Sequence, residues 1–314
     1  MEYRELGRTG LQVSRLCFGA LTMGPLQRGL SPQQGSWILR RAFELGVNFV
    51  DTAELYCTYE HIRLALQDYA SERPVVVTTK SYAYSREGML NSLEKAQKEL
   101  GPNCLLIFML HEQESSHTLR GHWPALEVLF EAKKAGVIHA VGVSTHHVEG
   151  VRAAGNIPEI DVISPLINST GIGIQGGNRE DMLSAIKGAA NLGKGIVAMK
   201  PLGGGHLLAD WSSALEYLLV KAEIHSIAVG MKTVQEVENN VAFFQGRRDL
   251  PAPEITTRRL HIDDWCIGCG ACVRACPNQA LEIQAGKAKV ASRENCVFCG
   301  YCGASCPEFA IKVI

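Results

Sequence analysis

VVVTTKSYAYSREGMLNSLEKAQKELGPNCLLIFMLH, residues 75–111, carries two different periodicities. It opens on the apolar run VVVTTK (75–80) and closes on CLLIFMLH (104–111). Near-continuous apolar runs of this length are what parallel strands buried on both faces require. Between them, SREGMLNSLEKAQKELG (85–101) places Met89, Leu90, Leu93, Ala96 and Leu100 on one helical face and stops at Gly101, a residue that ends helices without steric cost. The same alternation extends in both directions. The other apolar runs are SRLCFGAL (14–21), NFVDTA (48–53), IHAVGVST (138–145), VISPLINS (162–169), GIVAMKPL (195–202) and SIAVGMK (226–232), which makes eight in all. Two of the intervening stretches start with capping boxes, Ser31 with Pro32 and Gln34, and Thr233 with Glu236.

Eight strand–helix units predict an α/β chain folded as a (β/α)8 TIM barrel over residues 1–246. An open nucleotide-binding sheet would want a glycine fingerprint after its first strand, and FGALTMGPLQRG (18–29) lacks one. MEYRELGRTGLQVSRL (1–16) reads as a β-hairpin turning at Thr9-Gly10 that closes the bottom of the barrel.

The totals bound the function. In 314 residues, 46% are hydrophobic and 20% charged, which is globular composition. A formal net charge of -1 gives no electrostatic case for nucleic acid or an anionic membrane surface. No apolar run approaches the roughly 18 residues of a membrane span, and MEYRELGRTG has no secretory apolar core. A cytoplasmic protein is expected.

Of eleven cysteines, Cys17, Cys57 and Cys104 are isolated and the other eight lie between 266 and 306. In a reducing compartment such clustering argues for metal rather than disulfides. QGRRDLPAPEITTRRL (245–260) has the prolines and charges of a linker, so a segment at 247–260 separates the barrel from a small α+β domain at 261–314. That domain holds CIGCGACVRACP (266–277) and its repeat CVFCGYCGASCP (296–307). Both are C-x2-C-x2-C-x3-C-P, the bacterial ferredoxin run, whose fourth cysteine serves the other cluster. The segment resembles a two-cluster ferredoxin. The resemblance implies one 4Fe–4S cluster on Cys266, Cys269, Cys272 and Cys306, and a second on Cys296, Cys299, Cys302 and Cys276. Gly268, Gly270, Gly300 and Gly303 would let backbone N–H groups approach the sulfurs, and Pro277 and Pro307 end the turns. Zinc, the competing metal, takes tetrahedral sets of four and needs no three evenly spaced cysteines.

In a barrel of this kind chemistry sits where strands end. Asp51 in NFVDTAELY, Lys80 in VVVTTK and His111 in IFMLH fall at three successive strand ends, with Tyr56 in the loop between the first two. A phenol with a pKa near 10 is a poor acid–base at neutral pH, and a neighbouring ammonium is expected to lower it. A carboxylate orients that ammonium, and a histidine hydrogen-bonds a substrate carbonyl. The set amounts to a carbonyl polariser suited to hydride transfer.

Over residues 1–246 the chain is similar to the aldo-keto reductase family, through LGRTGLQVSRLCFGA (6–20), NFVDTAELY (48–56), TTKS (78–81), LLIFMLHE (105–112), VGVST (141–145), MKPLGGG (199–205) and VGMKTVQEVENN (229–240). The resemblance implies NAD(P)H-dependent reduction of an aldehyde or ketone, or oxidation of an alcohol. The family's tetrad falls on Asp51, Tyr56, Lys80 and His111, with Tyr56 as proton donor. For NADP(H) or NAD(H) it implies Ser144 and Asn168 at the nicotinamide and Met199 where an aromatic residue usually stacks. Pro201, Leu202 and Gly203 would contact the pyrophosphate, Lys232 would supply positive charge, Asn240 would meet adenine, and Gly230 is a further cofactor-binding position. The family's usual glutamine is Ser164 here, and its 2′-phosphate arginine is Glu236, which favours NADH. The partners implied are a small carbonyl or alcohol and a redox protein, with no nucleic acid and no membrane.

Hydride carries two electrons and a 4Fe–4S cluster one. Three readings result. The tail exchanges electrons with an outside partner while the barrel does carbonyl chemistry; the clusters are structural or oxygen-sensing beside a plain reductase; or the chain is an electron-transfer adaptor whose barrel is a docking scaffold.

Overall fold

The computed structural model describes residues 1–25, 27–70, 73–205, 207–251, 259–276, 279–291 and 301–313. Two compact units divide the chain, Met1–Pro201 with Ser212–Pro251, and Leu202–Trp211 with Ala252–Ile314. Part of the expected linker, 252–258, lies outside the described residues, as do Pro277, Cys296, Cys299 and Gly300.

The first unit is the expected (β/α)8 barrel. Its bottom hairpin pairs β1 (Tyr3–Glu5) with β2 (Gln12–Ser14), antiparallel. Eight parallel strands then close on themselves: β3 (Leu16–Gly19), β4 (Phe49–Asp51), β5 (Val76–Ser81), β6 (Leu105–Leu110), β7 (Ala140–Thr145), β8 (Val162–Pro165), β9 (Gly195–Ala198) and β10 (Ser226–Gly230). The last pairs with the first, Val229 opposite Phe18. Several strands stop short of the apolar runs that announced them, because the run continues into the loop at the top of the barrel.

Strand parity explains how the interior becomes a site. Side chains alternate faces, so positions two apart share one. Phe49, Val76, Ile107, Met109, Ala140, Val162, Val197 and Ala228 fill the barrel's interior, sealed by Leu6, Leu11 and Val13 of the hairpin. Two or four residues further along the same faces come Asp51, Lys80, His111, Ser144, Ser164, Met199 and Gly230. Apolar filling below thus dictates which polar residues look inward at the carboxyl ends of the strands.

The helices follow their caps. Ser31 and Gln34 make the reciprocal capping box that starts α1 (Pro32–Glu44). Helix α2 (Tyr59–Leu66) follows the Tyr56 loop. Ser85 accepts the Gly88 N–H at the start of α3 (Arg86–Leu100), which ends at Gly101 with φ 77°. Met89, Leu93, Ala96 and Leu100 are buried as expected, but Leu90 is 48% exposed, one residue round the helix from the buried stripe. Between β6 and β7 the chain makes two helices, α4 (Ser116–Gly121) and α5 (Trp123–Lys134). Helices α6 (Val148–Gly155), α7 (Arg179–Asn191), α8 (Trp211–Leu219) and α9 (Val234–Phe244) complete the ring.

The C-terminal part of the second unit is two interleaved halves. Strand β11 (Leu260–Ile262) precedes the first cysteine run, with α10 (Ala271–Ala275) inside it and β12 (Leu281–Gln284) after it. Strand β13 (Lys287–Val290), α11 (Tyr301–Ala304) and β14 (Ile311–Val313) repeat the order. β11 pairs with β14 and β12 with β13, both antiparallel. Around them Cys272, Leu281, Ala288, Cys302 and Ile311 form a small core. The β12–β13 hairpin turns on Ala285 and Gly286, both at positive φ, the mark of a tight primed turn. Gly268 packs against it so closely that a Cβ would stand 2.2 Å from the Gly286 oxygen. No helix among the described residues is long and apolar enough to cross a membrane.

Candidate active site and cysteine cavity

Lys80 and Asp51 form a buried ion pair at the top of the barrel, Nζ to Oδ1 2.7 Å. The Lys80 ammonium also donates to the Thr52 carbonyl at 2.8 Å, and the Thr78 hydroxyl donates to Asp51 Oδ1 at 3.0 Å. Register places Asp51 beside Thr78 on the neighbouring strand. Charge is therefore compensated by charge and by hydrogen bonds, which a buried pair needs to persist.

Tyr56 lies on a short 3-10 turn, Glu54–Tyr56, rather than in an open loop. The Lys80 Nζ sits 5.2 Å from its ring centroid. His111 meets the same ring edge-on, centroids 5.8 Å apart at 73°. Asp51, Tyr56, Lys80 and His111 are thus brought together on one rim. Gly24 makes room for the turn, since a Cβ there would lie 2.3 Å from the Tyr56 carbonyl oxygen.

The phenol's acidity differs from the expectation. Burial, then Asp51, Glu112 and Tyr82, hold the Tyr56 pKa well above its ordinary value. The Lys80 ammonium that was expected to lower it donates its hydrogen bonds to Asp51 and Thr52. Burial, with Lys80, His146 and Lys200 nearby, holds His111 well below the ordinary histidine value. The tetrad therefore presents a protonated phenol and a neutral imidazole at neutral pH.

Three residues that the sequence did not single out complete the rim. Tyr82 stacks on His111, centroids 4.3 Å apart at 26°, and its hydroxyl donates to Glu112 Oε2 at 2.7 Å. Glu112 takes a left-handed backbone, φ 51°, and its N–H donates to the Ser144 hydroxyl oxygen at 2.9 Å. Lys200 is also left-handed, φ 54°. Burial lowers the Lys200 pKa, while Glu112 raises it. The signal available for Tyr82 and Glu112 was adjacency, since each lies one or two residues beyond Lys80 or His111.

The nicotinamide candidates divide. Ser144 is fully buried on the inner face and receives the Glu112 N–H. Asn168 is spent on its own loop and on the Lys200 carbonyl, which its Nδ2 reaches at 3.5 Å. Its Nδ2 donates to the Ile172 carbonyl at 2.9 Å, and its Oδ1 accepts the N–H groups of Thr170 and Ile172 and the Thr170 hydroxyl. The Ser164 hydroxyl donates to the Val197 carbonyl at 3.1 Å. Met199 is half-buried and bridges by its backbone to Leu166. Pro201 is buried at the end of the first unit, while Leu202 and Gly203 belong to the second. Gly230 ends β10, where a Cβ would strike the Thr22 methyl at 2.4 Å. The Glu236 carboxylate accepts the Lys232 N–H at 2.8 Å, one residue before the expected capping position. Asn240 donates to the Glu236 carbonyl at 2.8 Å, and its buried Oδ1 has no partner among the described residues.

In the C-terminal residues Cys266, Cys269, Cys272 and Cys306 line one cavity with Gly268 and Gly270. Two of these thiols receive backbone hydrogen bonds, Ala288 N–H to Cys266 Sγ at 3.4 Å and Ala310 N–H to Cys306 Sγ at 3.3 Å. Cys276, outside that cavity, receives the Ala280 N–H at 3.3 Å. Cys302 is buried in the adjacent core. A cavity walled by four sulfurs, with amides aimed at them, fits an iron–sulfur cluster.

The aldo/keto reductase family model matches residues 15–213, more than half of the chain. The chain belongs to the aldo/keto reductase family. A 4Fe-4S dicluster domain model matches residues 265–310 of this aldo/keto reductase family member. Among similar proteins, L-galactose dehydrogenase of Arabidopsis thaliana is 27% identical, the match covering 77% of this chain and 88% of that one. Pyridoxal 4-dehydrogenase of Microbacterium luteolum is 23% identical, covering 82% and 96%. An aldo-keto reductase from Bacillus halodurans, solved in its holo form, superposes with a TM-score of 0.65 at 19% identity, covering 80% and 93%, a likeness of fold.

Proposed function

We propose that the barrel, residues 1–246, interconverts a small aldehyde or ketone and its alcohol, and that residues 261–314, beyond the 247–260 linker, hold two 4Fe–4S clusters. The observation that carries the first part is the meeting of Tyr56 and His111 above the Lys80–Asp51 pair. A bound NADH or NADPH supplies the hydride. Tyr56 holds the proton that passes from its Oη to the carbonyl oxygen as the alcohol forms. His111, kept neutral, orients that oxygen by a hydrogen bond. Lys80, anchored by Asp51, provides the positive charge that stabilises the phenolate left behind. Because Tyr56 stays protonated well past neutrality, carbonyl reduction holds its rate through neutral pH. Alcohol oxidation needs the phenolate and rises into the alkaline range.

Ser144 and Asn240 are the best-supported cofactor contacts, Asn240 because its Oδ1 is left without a partner. Glu236 stands where a 2′-phosphate would be repelled, which favours NADH. In the tail, Cys266, Cys269, Cys272 and Cys306 hold one cluster, and Cys276, Cys296, Cys299 and Cys302 the other. Such clusters pass single electrons to a redox partner protein. Cysteine usage of this kind suits the cytoplasm.

One observation favours a second reading, an electron-transfer adaptor with a docking barrel: the Asn168 amide is occupied by its own loop and by the Lys200 carbonyl. An anaerobic titration separates the two. Purified holoprotein, checked for iron, sulfide and flavin, is mixed with NADH or NADPH while cluster absorbance and EPR are followed. Binding of nicotinamide and reduction of 4-nitrobenzaldehyde support the reductase, and bleaching of the clusters links it to the tail. Absence of both binding and turnover moves the assignment to the adaptor.

A further inference from the structure

Tyr56 stands on a single turn between Thr52 and Thr58, whose buried hydroxyls are 2.7 Å apart. Its hydrogen bonds are local, Tyr56 N–H to the Ala53 carbonyl at 3.0 Å and Cys57 N–H to the Glu54 carbonyl at 3.3 Å. Cys57 then leaves in the left-handed region, φ 53°. One turn of 3-10 helix is weakly cohesive, with poor hydrogen-bond geometry.

The Glu54 side chain ties this turn to two other elements. Its Oε2 lies 3.0 Å from the Ser81 hydroxyl and 2.8 Å from the Ser92 hydroxyl, both donors to it. The two hydroxyls are themselves 2.8 Å apart, so three oxygens form a closed triangle. Its Oε1 takes the Lys95 ammonium at 3.4 Å. Ser92 and Lys95 belong to α3, and Ser81 ends β5. Ser81 is also the residue after Lys80. The carboxylate therefore links the turn that carries Tyr56 to the strand that carries Lys80. Ser81 and Ser92 are buried, and hydrogen bonds to a carboxylate are stronger than neutral ones.

We propose that Glu54 is a positioning residue for Tyr56, setting through Ser81 and Ser92 where the phenol stands relative to the Lys80 ammonium and to His111. This rests on the reading of Tyr56 as the acid–base group. Misplacement of a reacting group by about 1 Å costs on the order of 100-fold in rate. The role predicts a loss in kcat rather than in binding.

The experiment uses full-length holoprotein with 4-nitrobenzaldehyde and NADH or NADPH, and 4-nitrobenzyl alcohol with the oxidised cofactors for the pH profile. Glu54→Ala is expected to lower kcat by roughly 10–100-fold with KM little changed, and to displace the alkaline limb of the oxidation profile. Glu54→Gln keeps an oxygen for the serines and is expected to restore most of the rate. Wild-type kcat and pH profile in Glu54→Ala, with or without a lower melting temperature, overturn the proposal. So does a Glu54→Gln as poor as Glu54→Ala. Should Glu54→Ala fail to fold, Ser92→Ala removes one donor and leaves the carboxylate: a several-fold lower kcat supports the role, and an unchanged one overturns it. Tyr56→Phe run alongside separates the two levels. Turnover surviving in Tyr56→Phe sinks the acid–base reading, whereas a dead Tyr56→Phe beside an unaffected Glu54→Ala sinks only the role of Glu54.

Discussion

Asp51, Tyr56, Lys80 and His111 come from three strand ends and a turn, and no two of them are adjacent in sequence. Cys266, Cys269 and Cys272 come from a single short run and need only Cys306 from the other half to wall their cavity. The rim of the barrel is thus a site made by tertiary structure, supported by a large apolar interior. The cysteine cavity is a site made by local spacing, surrounded by a core of a few residues. A site of the first kind is assembled by the fold of the chain before its ligand arrives. One of the second kind shares its stability with what it binds.

That contrast breaks most visibly at the ligands. Cys306→Ser is expected to cost the first cluster outright, read as a fall of about half in iron and sulfide per chain, while the barrel's circular dichroism persists. Retention of full iron would show that the four thiols do not act as one set. Next in size, Tyr56→Phe should lower carbonyl reduction by roughly 100- to 10,000-fold with iron unchanged. If iron is lost as well, the two sites are not separable. Lys80→Met leaves Asp51 buried without its cation, and breaking such a pair costs about 3–5 kcal/mol, measured as a shift in the urea midpoint of the barrel transition. A midpoint within error of wild type would mean that water replaces the ammonium.

Acid gives the graded version. Burial holds His111 and His146 well below the ordinary histidine value and His225 at about 4. As pH falls below about 6.5 the unfolded chain takes up these protons before the folded one. Barrel stability is therefore full above that pH and declines as pH falls, for His225 down to about 4. Urea midpoints that stay flat from pH 7.5 to 4.5 would contradict this. The smallest effect expected is on the exposed side of α3. Leu90→Ser should change stability by no more than about 0.5 kcal/mol, against about 2–5 kcal/mol for Leu93→Ala.

Much of the barrel was legible because its rules are short-ranged. Near-continuous apolar runs named eight strands, and Asp51, Lys80 and His111 stood out as polar residues at the ends of three of them. The cysteine runs were legible for the same reason, since four ligands in eleven positions leave little to fold. Leu90 shows the limit on a helix, where one step of 100° decides between core and solvent and the neighbouring elements choose the stripe. Asn168 shows the limit at a site. The family resemblance implied a cofactor contact there, but its amide hydrogen-bonds Thr170, Ile172 and Lys200, which no linear pattern reveals.

By itself the sequence determined the strand count, the strand ends that carry Asp51, Lys80 and His111, and the cysteine spacing, because each depends on residues a few positions apart. Tertiary structure alone decided the chemistry of the rim. It turned the Lys80 ammonium toward Asp51 and left the Tyr56 phenol harder to ionise rather than easier. It also laid Tyr82 on His111 and tied Glu54 to Ser81 and Ser92. Those outcomes depend on burial and on distances between residues far apart in the chain, and the energy of a charge or a hydrogen bond is set by its surroundings rather than by its neighbours in sequence.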